Sequence, residues 1–359
     1  MIDKKIVNFC LPVIPKNPTG GFKIIFEYAN RLIQIGYEVN IYYMCCSSLK
    51  KYNLPENIRI FLCKLMANYY PRWFKLDRKI RTYAVNEIGD NVIHDGDYIF
   101  ATAVWTAQGV YKLASSKGKK YYFIQDFENW GWSDQSVIDT YKYGMRNVVI
   151  SRWLEDIVNK NTNKHCKYIR NAINVNKFKN LIPIDKRKKH TIAILYHEGA
   201  HKGFKYAFEV INILKTKYND LVVNMFGVFE KPIKLPDWIN YTKNATEGEL
   251  VKIYNDSQVF LCASIDEGFG LTGLESMACG CVVVSTAYKG ILEYGVNKKN
   301  CLLTEVRNVK ELTENVIKVF ENQDLMISLS KQATNTAKEY SWDNSFNQFV
   351  KLLENQEEL

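Results

Sequence analysis

Residues 267–275 read EGFGLTGLE, in which two carboxylates, Glu267 and Glu275, bracket Gly268, Gly270 and Gly273. The glycines have the G-x-G-x-x-G spacing of a dinucleotide-binding loop, a weak signal by itself. That loop opens the first βα turn of its domain, and it needs an acidic residue at the end of the second strand for the ribose. Here the glycines follow a late strand, QVFLCAS, and the next strand, CVVVST, ends in Ser285 and Thr286 with no carboxylate. Both requirements fail. What remains is a strand, a glycine turn and a helix start. The backbone amides of Gly270, Leu271 and Thr272 would point out of the helix N-terminus, where unpaired donors and partial positive charge suit a phosphate. Glu275 lies about one turn into the helix, on the face of Thr272. Glu267 precedes the turn. A ligand with hydroxyls, then phosphate, then hydroxyls fits this order, and a nucleotide sugar is such a ligand.

Both halves of the chain hold the elements needed to position these groups. Short β-branched or aromatic strands alternate with helical patterns, as in βαβ units with parallel sheets. KIVNFCLPV, EVNIYYMC, DYIFATA and KYYFIQD are strands, and GFKIIFEYANRLIQIG is a helix with apolar residues at helical spacing. NVVISRWLEDIVNK is a strand running into a helix. The pattern restarts after the polar segment IDKRKKH (184–190), which reads as an interdomain linker, and TIAILYH is the first strand of the second half. At 359 residues, two domains of about 150–200 residues are expected. In two doubly wound units, ligands bind outside the carboxyl ends of the strands.

Composition narrows the class. No apolar run approaches the roughly 18 residues of a membrane span, and the N-terminal run is broken by Asn8, Pro12 and Pro15, so it reads as a first strand and not a signal peptide. Nine cysteines without paired C-x-x-C units argue for reduced thiols in a cytoplasm and against zinc or a disulfide framework. DGD (95–97) precedes a strand and reads as a turn, not as a metal site. Residues 1–180 carry 27 basic against 15 acidic side chains, whereas residues 181–359 carry 21 against 23. A basic half suits an anionic surface or a solvated face. Residues 66–83, MANYYPRWFKLDRKIRTY, interleave aromatics with Arg and Lys, a mix suited to anionic lipid headgroups or to a helix with core aromatics and solvated bases.

Glu267 and Glu275, followed by SMACGCVVVST and KGILEYGVNKKNCLL, resemble the donor site of retaining glycosyltransferases of family four, which have the GT-B fold. Ser264 matches the serine before the E-G-F-G run. IRNAINVNKF (169–178) is similar to the family's N-G-x-D-x-x-x-F stretch, with Ala172 for Gly and Asn174 for Asp. PTGG (18–21) resembles its N-terminal glycine loop, and SWDNSFNQFVKLL its C-terminal crossover helix. The resemblance implies an α/β chain with two Rossmann-like, doubly wound parallel-sheet domains facing across a cleft. The first would be an acceptor domain, 1–180 plus a crossover helix at 341–359, and the second a donor domain, 181–340.

The resemblance also implies roles. Glu267 would accept from donor-sugar hydroxyls and Glu275 from the ribose, with Gly268, Phe269, Gly270, Leu271 and Thr272 around sugar and phosphates. YHEGAHKGF is similar to the family's G-R-x-x-x-x-K-G loop. Lys202 matches the lysine that meets the leaving diphosphate, but His197 holds the arginine's place, and either His197 or His201 would do a reduced job there. Gly20 and Gly21 would line the cleft facing the donor phosphate. Asp126, in YFIQDFENW, is the candidate for base-like or acceptor-orienting work, and a cap or turn role is its alternative. No metal or other cofactor is implied. The partners implied are a nucleotide sugar, a glycan or lipid-linked glycan acceptor and an anionic membrane surface through 66–83, with no nucleic acid. The place implied is the cytoplasm, peripheral at the inner face of the membrane. A GT-B epimerase acting on nucleotide sugars and a non-catalytic partner subunit remain as alternatives.

Overall fold

The computed structural model describes residues 4–46, 48–232 and 235–354. The chain forms two compact units, one running as far as Arg170 and joined by the segment from Phe346, the other Asn171–Ser345.

The first unit begins with β1 (Ile6–Leu11), α1 (Gly20–Gln34), β2 (Glu38–Met44), α2 (Glu56–Tyr69) and β3 (Arg81–Val85). It continues with β4 (Tyr98–Ala101), α3 (Val104–Lys112), β5 (Lys119–Ile124), α4 (Asp134–Tyr141), β6 (Arg146–Val149), α5 (Arg152–Asn161) and β7 (Lys167–Tyr168). All seven strands are parallel, in the order β3-β2-β1-β4-β5-β6-β7. A parallel sheet is covered on both faces, so its central strands are nearly continuous apolar runs, as IVNFCL and the YYFI of β5 are. Helix α1 turns Ile24, Ile25, Tyr28, Leu32 and Ile33 inward. Tyr28 meets Phe123 at 5.6 Å and Phe349 at 4.3 Å between ring centroids, and Phe349 stacks on Phe100 at 5.3 Å.

The second unit holds β8 (Thr191–Tyr196), α6 (Phe204–Lys217), β9 (Val222–Gly227), β10 (Ile239–Lys243), α7 (Glu247–Asn255) and β11 (Val259–Cys262). After these come α8 (Leu271–Ala278), β12 (Val282–Thr286), β13 (Cys301–Thr304), α9 (Val309–Glu321), α10 (Gln323–Lys338) and α11 (Trp342–Leu353), whose residues from Phe346 on belong to the first unit. The sheet of the second unit is parallel, in the order β10-β9-β8-β11-β12-β13. The order reverses between β8 and β11, which pair directly. At such a switch point the loops leaving two neighbouring strands diverge to opposite faces and open a crevice between them. In the first unit the same reversal lies between β1 and β4.

Two expectations are corrected. Segment 184–190 is not a linker. Ile184 is part of the second unit's core and Arg187 is buried. The Arg187 guanidinium donates to the carbonyls of Ile182 (3.0 Å), Tyr254 (2.9 Å), Ser257 (2.6 Å) and Cys279 (2.6 Å) and to Asn180 Oδ1 (3.1 Å). Five N–H groups thus meet five acceptors. Basic composition suggested solvent, but a fork of donors also serves a cluster of inward carbonyls. For the same reason the boundary falls at Arg170–Asn171 and not at 180: Asn255 Nδ2 donates to the carbonyl of Lys179 at 3.1 Å, tying the stretch to the second unit. Helix α2 and strand β3 go beyond the elements expected from the sequence: in 56–69 Asn57, Arg59 and Lys64 interrupt the apolar residues, so no one-sided period stands out.

Arg187→Met should leave several buried carbonyls without their donor. At about 1–3 kcal/mol for each unsatisfied buried group, urea unfolding should show a loss of at least about 3 kcal/mol. Arg187→Lys should recover little of it, because an ammonium cannot reproduce the planar fork.

Candidate functional site

Two loops at the switch point of the second unit carry most of the candidate residues. The loop after β8 runs through a short helical turn, Ala200–Lys202, to Gly203, whose φ of 59° is left-handed. A Cβ at Gly203 would lie 1.9 Å from the carbonyl oxygen of Ala263, so only glycine lets the β8 loop lie against the β11 loop. The backbone N–H groups of Ile265 (2.7 Å) and Asp266 (3.3 Å) both donate to the carbonyl of His201, stitching the two loops together.

This stitching brings Lys202 and Glu267 into contact, with Nζ 2.9 Å from Oε2. The other oxygen, Oε1, accepts from Ser264 Oγ at 2.5 Å, and the Ser264 carbonyl accepts from Thr286 Oγ1 at 2.5 Å. Glu267 is buried. Burial pushes its pKa up, but the Lys202 charge and the hydrogen bonds from Ser264 and Lys202 outweigh it, so the carboxyl is held below the ordinary value and ionised. A buried carboxylate with fixed donors is a preorganised acceptor.

His197 and His201 flank the pair, ring centroids 5.7 Å apart. Burial, with the charge of Lys202 beside it, pushes His197 down to about 4. The backbone N–H of Gly199 donates to His197 Nδ1 at 2.9 Å. With Nδ1 accepting, the neutral ring carries its proton on Nε2 and is a donor there. Burial and Lys202 also lower His201, against the opposing charges of Glu267 and Asp266.

Helix α8 starts at the second half of the glycine stretch. Gly270 is its N-cap, with φ 84°, and supplies no side chain to cap the helix. Its carbonyl accepts from Tyr294 Oη at 2.6 Å. A Cβ at Gly270 would come within 2.0 Å of Tyr288 Oη. Phe269 is buried against Tyr294, centroids 5.5 Å apart. Leu271 and Thr272 open the helix and are partly exposed, while Glu275, one turn in, is buried. The carboxyl end of β11 thus presents a tyrosine-braced turn, uncapped amides and an ionised carboxylate.

The structure gathers His197, His201, Lys202 and Glu267 into one cluster, followed directly by Gly268–Thr272. Asp126, Gly20 and Gly21 belong to the first unit, at the carboxyl ends of its strands. Asp126 follows β5 and its Oδ1 accepts from the N–H of Phe127 at 2.9 Å, a turn contact. Gly20 and Gly21 open α1, and a Cβ at Gly21 would stand 3.2 Å from the amide nitrogen of Gln125. Sequence reasoning passed over Glu128, whose Oε2 accepts from the N–H of Val104 at the start of α3 (2.6 Å). Burial, with the charge of Asp126 adding to it, pushes Glu128 up to about 8 against that hydrogen bond. It also passed over the bracing pair Tyr288 and Tyr294. Their one signal is the six-residue spacing in AYKGILEYG, which no single-element period explains.

Residues 176–339 match the family model of "Glycosyl transferases group 1". Over 173 residues the chain is 26% identical to the N,N'-diacetylbacillosaminyl-diphospho-undecaprenol alpha-1,3-N-acetylgalactosaminyltransferase of Campylobacter jejuni, a match covering 46% of this chain and 45% of that protein. The chain thus spans about half the length of such curated relatives. Sucrose-phosphate synthase from Thermosynechococcus elongatus superimposes with a TM-score of 0.75 at 12% identity, covering 98% of this chain and 99% of that one. HepE of Anabaena, solved in complex with UDP-glucose, gives a TM-score of 0.74 at 13% identity, covering 98% and 100%. The fold is the two-sheet GT-B fold.

Two outcomes follow from the site itself. Between pH 6.5 and about 4 the unfolded chain binds a proton at His197 that the folded chain does not, so stability should fall as pH drops through that window. His201, lowered in the same sense, adds to the slope. Urea midpoints measured across this range should show a flatter slope in His197→Gln. Gly270→Ala should lose about 1–3 kcal/mol through backbone strain and the Tyr288 clash. Adding Tyr288→Phe, which removes the clashing hydroxyl, should restore part of that loss in thermal unfolding.

Proposed function

We propose that this chain, whose residues 176–339 match the group 1 glycosyl transferases, transfers a sugar from a nucleotide-sugar donor to a glycan acceptor. The observation that carries this reading is the Lys202–Glu267–Ser264 cluster at the switch point, followed at once by the uncapped start of α8. An ionised, buried carboxylate suits sugar hydroxyls, and a cation beside free helix amides suits a diphosphate. Glu267 accepts from the donor sugar and Glu275 from the ribose. Lys202 and the amides of Gly270, Leu271 and Thr272 take up charge as the diphosphate departs, which is the main electrostatic task of the reaction. His197 offers its Nε2–H as a neutral donor where relatives of this type place an arginine.

The reaction is read as retaining and metal-independent, by resemblance to family four, with Asp126 serving the acceptor. The acceptor is read as lipid-linked, at the inner face of a cell membrane. The undecaprenol-linked substrate in the name of the Campylobacter relative supports a lipid-linked acceptor, and the UDP-glucose bound to HepE supports a nucleotide-sugar donor. Cell-surface polysaccharide or glycoconjugate synthesis is the process to which such a product belongs.

Thermal unfolding against the diphosphates of uridine, guanosine, adenosine and thymidine, their common sugars and NAD tests the donor site. A nucleotide at a hundred times its dissociation constant should stabilise by about 2.7 kcal/mol. Glu275→Ala should weaken that ligand about ten- to a hundredfold, the worth of one hydrogen bond to a charged group. Stabilisation by NAD alone would overturn the reading. Transfer of a radiolabelled sugar should persist in EDTA, and its abolition there would overturn the metal-independent mechanism.

A further inference from the structure

Helix α10 and the segment 175–185 leave a groove between them, within the second unit. Two cavities make it up, of about 320 Å³ and about 270 Å³, and their walls share Asn180, Thr334 and Lys338. The larger has the size at which small-ligand sites begin, roughly 300 Å³. The floor is apolar. Phe178 and Ile184 come from the segment, Ala278 from the end of α8 and Ala337 from α10, all of them buried.

The rim is basic. Lys179, Lys331 and Lys338 line it and are exposed, and among the described residues none of the three is held in an ion pair. Asp185 is the one acidic residue lining the two cavities, and Lys186 Nζ stands 3.3 Å from its carboxylate. Asn180 Oδ1 accepts from Arg187 Nη2 at 3.1 Å, which commits its acceptor and leaves Nδ2 to donate. The end of α8 would by itself repel an anion, because a helix C-terminus carries partial negative charge on its unpaired carbonyls. Here those carbonyls are answered: Cys279 by Arg187 at 2.6 Å, Gly280 by Ser330 Oγ at 2.7 Å, and Met277 by the N–H of Gly280 at 2.9 Å. Cations and an amide donor thus border an apolar floor, and the dipole that would oppose an anion is met.

The groove lies away from the loops that follow β8 and β11. Helix α8 starts beside them at Gly270 and reaches the groove at Ala278, about 12 Å further along its axis. We propose that the groove binds a small organic phosphate, its ring or other apolar body resting on Phe178, Ile184 and Ala337 and its phosphate held by Lys331 and Lys338. A phosphate monoester, with a charge between about −1.5 and −2 at neutral pH, matches a pair of lysines better than a single carboxylate does. The site is separate from the Lys202–Glu267 cluster and stands apart from the sugar-transfer reading.

Isothermal titration calorimetry of the full chain with phenyl phosphate, inorganic phosphate and phenol tests it. Phenyl phosphate should bind at least tenfold more tightly than either fragment. Lys331→Gln/Lys338→Gln should weaken it about tenfold or more, because charge-assisted hydrogen bonds are the strong ones, whereas Lys202→Ala should leave that site unchanged. Both groove lysines are exposed, so the double variant should keep the wild-type circular dichroism and melting temperature. Undiminished binding in the double variant, or inorganic phosphate binding as tightly as phenyl phosphate, would overturn the proposal. So would the absence of phenyl phosphate binding, or its loss in Lys202→Ala, since the anion would then sit at the loops after β8 and β11.

Discussion

The ion pair between Lys202 and Glu267 is the constraint around which the second unit's site is arranged. A carboxylate taken out of water is costly unless a cation and hydrogen-bond donors meet it. Here the cation comes from the loop after β8 and the nearest hydroxyl, Ser264, from the loop after β11. Neither loop could supply both. The loops must therefore touch, and they touch through backbone: Gly203 against the Ala263 carbonyl, and two N–H groups on the His201 carbonyl. Main-chain contact of this kind leaves little freedom to the charged side chains above it, so the acceptor and donor groups stand ready before any ligand arrives.

The same economy appears lower in the unit. Arg187 gathers carbonyls from Tyr254, Ser257 and Cys279, at the end of α7, the loop after it and the end of α8. Helix ends leave carbonyls unsatisfied, and a buried guanidinium is the one side chain with enough donors to answer several at once. Both devices place a cation where backbone dipoles converge. They differ in what they leave over: Arg187 has every N–H engaged, whereas Lys202 gives one contact to Glu267 and sits at the open side of the loops.

Charge at the site is kept low in another way. An arginine at position 197 would add a permanent cation next to Lys202. A histidine in that place, depressed to about 4 by burial and by Lys202, adds a neutral donor instead. Hydrogen bonding is retained there and positive charge reduced, which leaves Lys202 as the cation beside Glu267. Helix α2 shows the contrasting choice in the first unit, where Ile58, Phe61, Leu65 and Tyr69 are exposed and Arg59 turns inward, donating to the carbonyl of Cys45 at 2.7 Å.

Much of this was legible in the chain alone. Short β-branched and aromatic strand runs, broken by helical periods, identified two doubly wound halves, because burial on both faces of a parallel sheet imposes that pattern directly. EGFGLTGLE carried the site, because glycine spacing and flanking carboxylates state a local geometry within nine residues. Other features depended on partners distant in sequence. IDKRKKH looks like a solvated linker until the carbonyls that Arg187 answers are brought to it from some 70 to 90 residues away. Glu128 is one carboxylate among many until the start of α3 is laid against it. The apolar residues of 56–69 cannot be sorted into core and surface until Arg59 is seen turned inward. Local spacing determined which elements form and where a glycine turn opens helix α8. Which polar groups are buried, which are paired and which face of a helix meets solvent were decided by the tertiary structure, since each depends on what the fold places opposite.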